Sequence, residues 1–337
     1  MTNPRGAGVT CAALAARWER ERRQPRSRGV RGAAAVLVVV LTAAAGCARA
    51  PAGEDAGGAA PTATGSDVPA QDPSGSGQAA TPCPAGPAVR VAESGRHLLA
   101  TTTEFTGVFN QYNFALTAEA LAKLPGALAT GPYERAFSDF PRALKAGAFA
   151  HGGGMARVSL ENTHARPMTI SNMRVVNIVR ECIPLAAAIL HGNEGGDAIP
   201  MSFNLDAAAP VAHDMAGADP ARPYFAVHTL DLKPGEKQVL TLNFEVVRHA
   251  YSFDVAIDYE VAGATYVRLL RNGGVPFRAA SSLCPAPDQR GGLAPADVAR
   301  LRGLRYEHVL TREPDENGYW RIVSVPPEQH ARSCPTW

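Results

Sequence analysis

Three groupings in this 337-residue chain bring together residue types that can do chemistry. The first is His151-Gly152-Gly153-Gly154. Glycine N–H groups with no side chain in the way can approach a developing alkoxide, which is what an oxyanion hole requires. The second is Asp254, Asp258 and Glu260, at even spacings. In an extended strand they share one face, with residues two apart about 7 Å from each other, and paired carboxylates at such separations serve glycoside hydrolysis. The third is His213 and Met215, with His191 and Met201 upstream. Imidazole and thioether are ligands that suit Cu(I). Two acidic turns, 193–197 and 313–317, carry oxygen ligands but not in the order of a calcium loop.

Each grouping has a plainer reading. The chain contains no Gly-x-Ser-x-Gly, so the His151 loop has no nucleophile elbow to serve and reads as a turn before a strand at Ala156. Charges alternating with apolar residues read as the solvated face of a half-buried strand. Met201 alternates with core residues, and the spacing of His191, His213 and Met215 matches no copper motif. No catalytic residue, metal or cofactor is therefore expected. A hydrolase using the carboxylates or the His151 loop is the alternative, and a copper carrier using His191, His213 and Met215 the second.

The chain has six cysteines. Cys11 and Cys47 fall in the N-terminal region discussed below, leaving Cys83, Cys182, Cys284 and Cys334, which allow three pairings. Cys284–Cys334 is favoured, because the pair brackets a C-terminal segment that one helix and one hairpin would hold poorly on their own. Cys83–Cys182 follows by elimination, and an unpaired Cys83 is the alternative. No Cys-x-x-Cys is present, against thioredoxin-like redox work and zinc ribbons.

The elements that must position these residues are mostly strands. Tyr251, Phe253, Val255, Ile257, Tyr259 and Val261 occupy every second position, the period of a strand with one buried face. A return strand is expected at 265–270 after Gly263. Leu240, Leu242, Phe244 and Val246 alternate likewise after the Pro234-Gly235 turn, as do Ile199, Met201, Phe203 and Leu205. Further strands are predicted at 156–160, 168–178 (kinked near Ser171-Asn172), 185–190 and 224–232. Short helices are predicted at 117–124 and 139–146, with Thr117 and Asp139 as N-caps and Gly147 as the stop. A third is expected at 294–302, followed by a hairpin of 306–311 and 319–325 around Asn317-Gly318. No alternation of strands with long helices appears, against a doubly wound α/β fold.

Many short strands separated by Gly, Pro, Asn and Asp turns predict a mainly β chain built as an antiparallel sandwich. The phrases Val-Ser-Leu-Glu-Asn-Thr (158–163), Thr-Ile-Ser-Asn (169–172) and Leu-Lys-Pro-Gly-Glu (232–236) resemble immunoglobulin-like sandwich domains of exported bacterial proteins. The predicted helices add a short insertion to this domain, 89–290, and the last helix and hairpin a small α+β extension over 291–337; the resemblance itself implies an Ig-like fold. It implies no activity.

Charge is nearly balanced, 33 Lys+Arg against 31 Asp+Glu, which argues against nucleic acid as a partner. The basic excess is local. Arg5, Arg17, Arg20, Arg22, Arg23, Arg26, Arg28 and Arg31 precede Gly32 with only Glu19 and Glu21 among them, and the rest of the chain is net acidic. Arg26, Arg28 and Arg31 lead into the apolar run 32–46, which falls short of the roughly 20 residues that span a bilayer. Positive charge, a short apolar run and small residues make a secretory signal over 1–46. Ala44-Ala45-Gly46-Cys47 resembles the lipobox of bacterial lipoproteins, although that family prefers Leu where Ala44 stands. The resemblance implies a diacylglyceryl group on Cys47, cleavage before it, and a lipid bilayer as partner. About thirty residues precede the apolar run of the signal, so translation is expected to begin near Val30, with 1–29 a misassigned start. Arg22-Arg23 is followed by Gln24-Pro25 rather than apolar residues, favouring Sec over twin-arginine export.

From Ala48 to Ala88 the chain is almost all Ala, Gly, Pro, Ser and Thr, with Val68 its single large aliphatic residue. Such a segment buries too little apolar surface to offset the entropy of ordering, and 47–88 is read as a disordered tether reaching about 35 Å. The sequence thus predicts a lipid-anchored protein on the extracytoplasmic face of the membrane. Its globular part is expected to be a non-catalytic module binding another envelope component or protein.

Overall fold

The computed structural model describes residues 90–107, 112–192, 201–214, 222–285 and 292–334. The signal region and tether, with Cys11, Cys47 and Cys83, lie outside them, as do Met215 and the 193–197 turn. In chain order the elements are β1 (Leu98–Thr106), β2 (Asn113–Leu116), α1 (Ala118–Ala122), β3 (Gly131–Pro132), α2 (Arg135–Ala146), β4 (Phe149–His151), β5 (Gly154–Asn162) and β6 (Met168–Glu181). They continue as β7 (Ala187–Leu190), β8 (Met201–Asn204), β9 (His213–Asp214), β10 (Leu230–Leu232), β11 (Lys237–Glu245), β12 (Ala250–Val261), β13 (Ala264–Leu270) and β14 (Phe277–Ala280). Last come α3 (Pro295–Gly303), β15 (His308–Pro314), β16 (Trp320–Val325) and α4 (Pro327–Ser333).

The protein is mainly β and the strands form two sheets. The smaller runs β1-β5-β11-β8-β9; the larger runs β10-β6-β12-β14-β4-β2-β7-β15-β16-β3, with β13 on the free part of β12. Both sheets are mixed rather than purely antiparallel. β11–β8, β14–β4 and β15–β7 are parallel pairs, made where the chain leaves one region and returns with the same direction. The C-terminal hairpin β15–β16 is thereby built into the larger sheet.

One core joins the two sheets. Phe105, Phe203 and Phe244 from the smaller sheet meet Phe253 and Phe277 from the larger, with ring centroids 4.8 Å apart for Phe244–Phe253 and 5.1 Å for Phe105–Phe277. Full burial of each ring contributes on the order of 1.5–3 kcal/mol. A second apolar cluster of Ile183, Leu283, Leu301, Tyr306 and Val309 lies under the C-terminal segment.

β12 is the strand that its alternation predicts, but its other face is not solvated. Ser252, Asp254 and Ala256 are buried along with Phe253, Val255 and Ile257. The strand is central, paired with β6 on one side and with β13 and β14 on the other. β6 carries two irregularities against it. One omits Ser171, where the kink was expected; the other falls at Asn177, whose φ of 53° is the left-handed conformation of a bulge.

The helical expectations need adjustment. Thr117 caps α1 as expected, its Oγ accepting from the Ala120 N–H at 3.1 Å, and Gly147 ends α2 with φ 105°. But α2 starts at Arg135 and runs through Pro141, so Asp139 is internal rather than a cap. Packing of Phe140 against Phe114 and Tyr112 outweighs the backbone bond that Pro141 removes. Of 224–232 only β10 is strand. Tyr224–Ala226 is a 3-10 turn, because Tyr224 turns to stack on His228 and its N–H donates to the Ala212 carbonyl.

Candidate functional site

The residues singled out for hydrolytic chemistry are occupied by structure. Asp254 accepts two hydrogen bonds from Arg271, both 3.0 Å, and one from the Asn177 amide at 2.7 Å. Its side chain is 3% exposed, which corrects its expected place on a solvated face. Asp258 accepts from Arg174 at 3.1 and 3.2 Å and from Asn172 at 3.2 Å. Glu260 is exposed. The two aspartates are thus each closed into a guanidinium fork, in the bidentate geometry that fixes a carboxylate in place.

His151 ends β4 in the interior, its Nε2 2.7 Å from the Tyr306 hydroxyl. Burial, and then the charge of His330, depress its pKa to about 4, so the imidazole is neutral at pH 7. Burial also pushes the Tyr306 phenol up, and the pair is a neutral hydrogen bond. The glycines that follow serve a turn. Gly152 has φ 80° and donates its N–H to the Ala280 carbonyl at 2.8 Å. At Gly154 a Cβ would lie 2.7 Å from the Phe105 ring, so only glycine lets β5 pass that close.

The copper candidates are dispersed. His213 lies in β9 of the smaller sheet and His191 just past β7 of the larger, while Met201 is fully buried in the core. At the 313–317 turn the Asp315 carboxylate accepts from the Asn317 and Tyr319 N–H groups, both at 2.9 Å.

Two places bring polar side chains together around open space. The first is a pocket of about 190 Å³ between α2, the 124–129 loop and the β2–β7 part of the larger sheet. Phe114, Leu124, Ile189 and Ile322 form its apolar wall. Arg135 and Arg142 enter it from α2 two turns apart, with Asp139 between them, bonded to Arg135 at 2.9 Å and to Arg142 at 3.1 Å. Arg142 remains 59% exposed and can reach a ligand. His191 forms part of the wall and is 1% exposed. Its Nδ1 has no hydrogen-bond partner among the described residues. Burial is the main cause that lowers its pKa to about 4. The pocket therefore carries two cations, one anion and a neutral imidazole. An unsatisfied buried nitrogen beside a cavity marks a place where a ligand or ordered water completes the structure.

The second is at the C-terminus. Cys284 and Cys334 are joined as expected, with Cα atoms 5.3 Å apart. Cys182 is disulfide-bonded too; Cys83, its expected partner, lies outside the described residues. Helix α4, which the sequence reading missed, carries His330 and is followed directly by Cys334, and His330 Nε2 lies 3.9 Å from Cys284 Sγ. A cleft of about 260 Å³ runs over this group, lined by Leu283, Leu301, Leu304, Tyr306 and the stem of Arg305. The His-x-x-x-Cys spacing is visible in the sequence; its approach to Cys284 is not.

No family model matches the chain, and no curated protein and no solved structure matches it. Among the described residues no helix is long and apolar enough to cross a membrane.

Proposed function

We propose that the protein is a lipid-anchored envelope protein whose β domain is a non-catalytic binding module, and that the pocket at α2 receives an acidic group of its envelope partner. The observation that carries the binding reading is the pocket itself. It has an apolar wall, a fixed Arg135–Asp139–Arg142 bracket with one excess positive charge, and a neutral His191 with an unsatisfied nitrogen. Few convergent polar groups on an apolar lining are what a preformed recognition site presents, and the small volume suits a chain end or side group rather than a whole cofactor. The anchor rests on the lipobox-like Ala44-Ala45-Gly46-Cys47 and the tether composition. In this reading the two sheets form a mixed variant of the Ig-like sandwich, held away from the bilayer by the tether. A hydrolase is less well supported because Asp254 and Asp258 are taken up by Arg271 and Arg174.

The test is cross-linking capture from envelope extracts with the full chain and with Arg142→Glu, which reverses the accessible charge. The proposal expects a specific partner recovered with the parent protein and lost with the variant, at unchanged thermal stability. The same set of proteins recovered with both would refute a role for the pocket.

A further inference from the structure

Cys284 Sγ, Cys334 Sγ and a ring nitrogen of His330 all lie within 4.8 Å of one another, and all three residues are half-buried beside the 260 Å³ cleft. A tetrahedral zinc site, with Zn–S about 2.3 Å and Zn–N about 2.0–2.1 Å, sets its ligand atoms roughly 3.5–3.8 Å apart. The 3.9 Å between His330 Nε2 and Cys284 Sγ is already close to that spacing. One ligand, His330, comes from α4, and a second, Cys334, is the residue that caps its C-terminal end. The third follows β14, where the Cys284 N–H donates to Ser282 Oγ at 3.0 Å and fixes the end of the strand. The cleft supplies room for a fourth ligand beside the two sulfurs and the imidazole.

We infer that this corner is a two-state device: a disulfide clip when oxidised and, when reduced, a Cys₂His site for Zn²⁺ with its fourth position open to the cleft. The opening step is thiol–disulfide exchange with a dithiol donor. A donor thiolate attacks one sulfur, the Cys284–Cys334 bond breaks, and the donor's second thiol resolves the mixed disulfide. The donor leaves as a cyclic disulfide, two electrons poorer, and the protein gains two thiols. Zn²⁺ then displaces two protons from those thiols, while the neutral imidazole binds without releasing one. Zinc has no redox chemistry of its own, so all the electron transfer is at sulfur. The inference does not depend on the pocket at α2 or on what binds there.

The experiment uses the full chain in detergent, with Co²⁺ as a spectroscopic probe and Zn²⁺ as competitor. Reduction is by a phosphine, which does not compete as a thiolate ligand. The expected result is one equivalent of Co²⁺ bound by the reduced protein, with thiolate-to-cobalt charge-transfer and tetrahedral d–d bands that Zn²⁺ abolishes. The oxidised protein should bind none. His330→Gln keeps the disulfide and should melt like the parent when oxidised, yet bind Co²⁺ at least about 10-fold more weakly once reduced. Cys284→Ser and Cys334→Ser should each remove the charge-transfer band attributable to this site. Equal binding by oxidised and reduced protein would overturn the inference. So would a reduced site whose affinity and spectrum are unchanged in His330→Gln, since the metal would then sit elsewhere.

Discussion

Replacing Asp254 with Ala separates a buried ionic brace from a solvated surface charge. The carboxylate accepts three hydrogen bonds, two from Arg271 and one from Asn177, and its side chain is 3% exposed. Hydrogen bonds to a charged group contribute about 1.5–3 kcal/mol each, but they do not simply add here. Arg271 is 43% exposed and regains water when its partner goes, so its two bonds are discounted heavily. Asn177 is held in a left-handed bulge and loses the acceptor its amide faces. The net expectation is a loss of about 2–3 kcal/mol, with a coupling of about 1–2 kcal/mol in a double-mutant cycle with Arg271→Ala. The assay is urea unfolding followed by far-UV circular dichroism, at constant m-value and with disulfides intact. Asp258→Ala, whose side chain is 17% exposed, should cost about 1 kcal/mol, and Glu260→Ala within about 0.5. An Asp254→Ala midpoint indistinguishable from that of Glu260→Ala would refute the brace and restore the solvated face.

Three other perturbations read different parts of the molecule. Phe253→Ala removes a fully buried ring from the contact between the sheets and should cost about 3–5 kcal/mol; a urea midpoint near that of the parent would show that the ring lies outside the core. His151 and His191 are held neutral with pKa values of about 4, below the roughly 6.5 of an unfolded histidine, so the unfolded chain binds the extra protons. Their contribution is complete above pH 6.5 and is lost as pH falls towards 4, by about 3 kcal/mol for each residue, and a flat stability profile between pH 6.5 and 4 would contradict their burial. Double Cys284→Ala, Cys334→Ala should lower stability by about 4 kcal/mol in the chain-entropy model and expose α4 to protease. The hairpin β15–β16 should stay protected by its pairing with β7, and early cleavage inside it would count against the sheet topology.

The contrast between Phe253 and Asp254 shows what the sequence could and could not say. Period two at 251–261 establishes a strand, because alternation is a property of the local backbone. Whether the polar face meets water depends on what covers it, and here Arg271 and Asn177, 17 and 77 residues away, bring it inside. β4 and β14 were invisible for a different reason: Phe-Ala-His and Phe-Arg-Ala-Ala are too short and too rich in alanine to carry a period. Helix α4 was not predicted: it opens on Pro326-Pro327, which suits the first turn of a helix, but its seven residues carry no apolar period. The Cys284–Cys334 pairing was legible because both cysteines bracket one segment. The pocket at α2 was not, since Arg135, Arg142 and His191 meet only through pairing of β2 with β7 and the docking of α2 on it.

The claim that this is a membrane-tethered binding module is tested most directly by mass spectrometry of the N-terminal peptide of the mature protein, isolated from membranes. The proposal predicts a chain beginning at Cys47 with a diacylglyceryl thioether, and complete release from the membrane fraction, or an uncleaved precursor, in Cys47→Ser. An unmodified terminus downstream of Cys47 would contradict it.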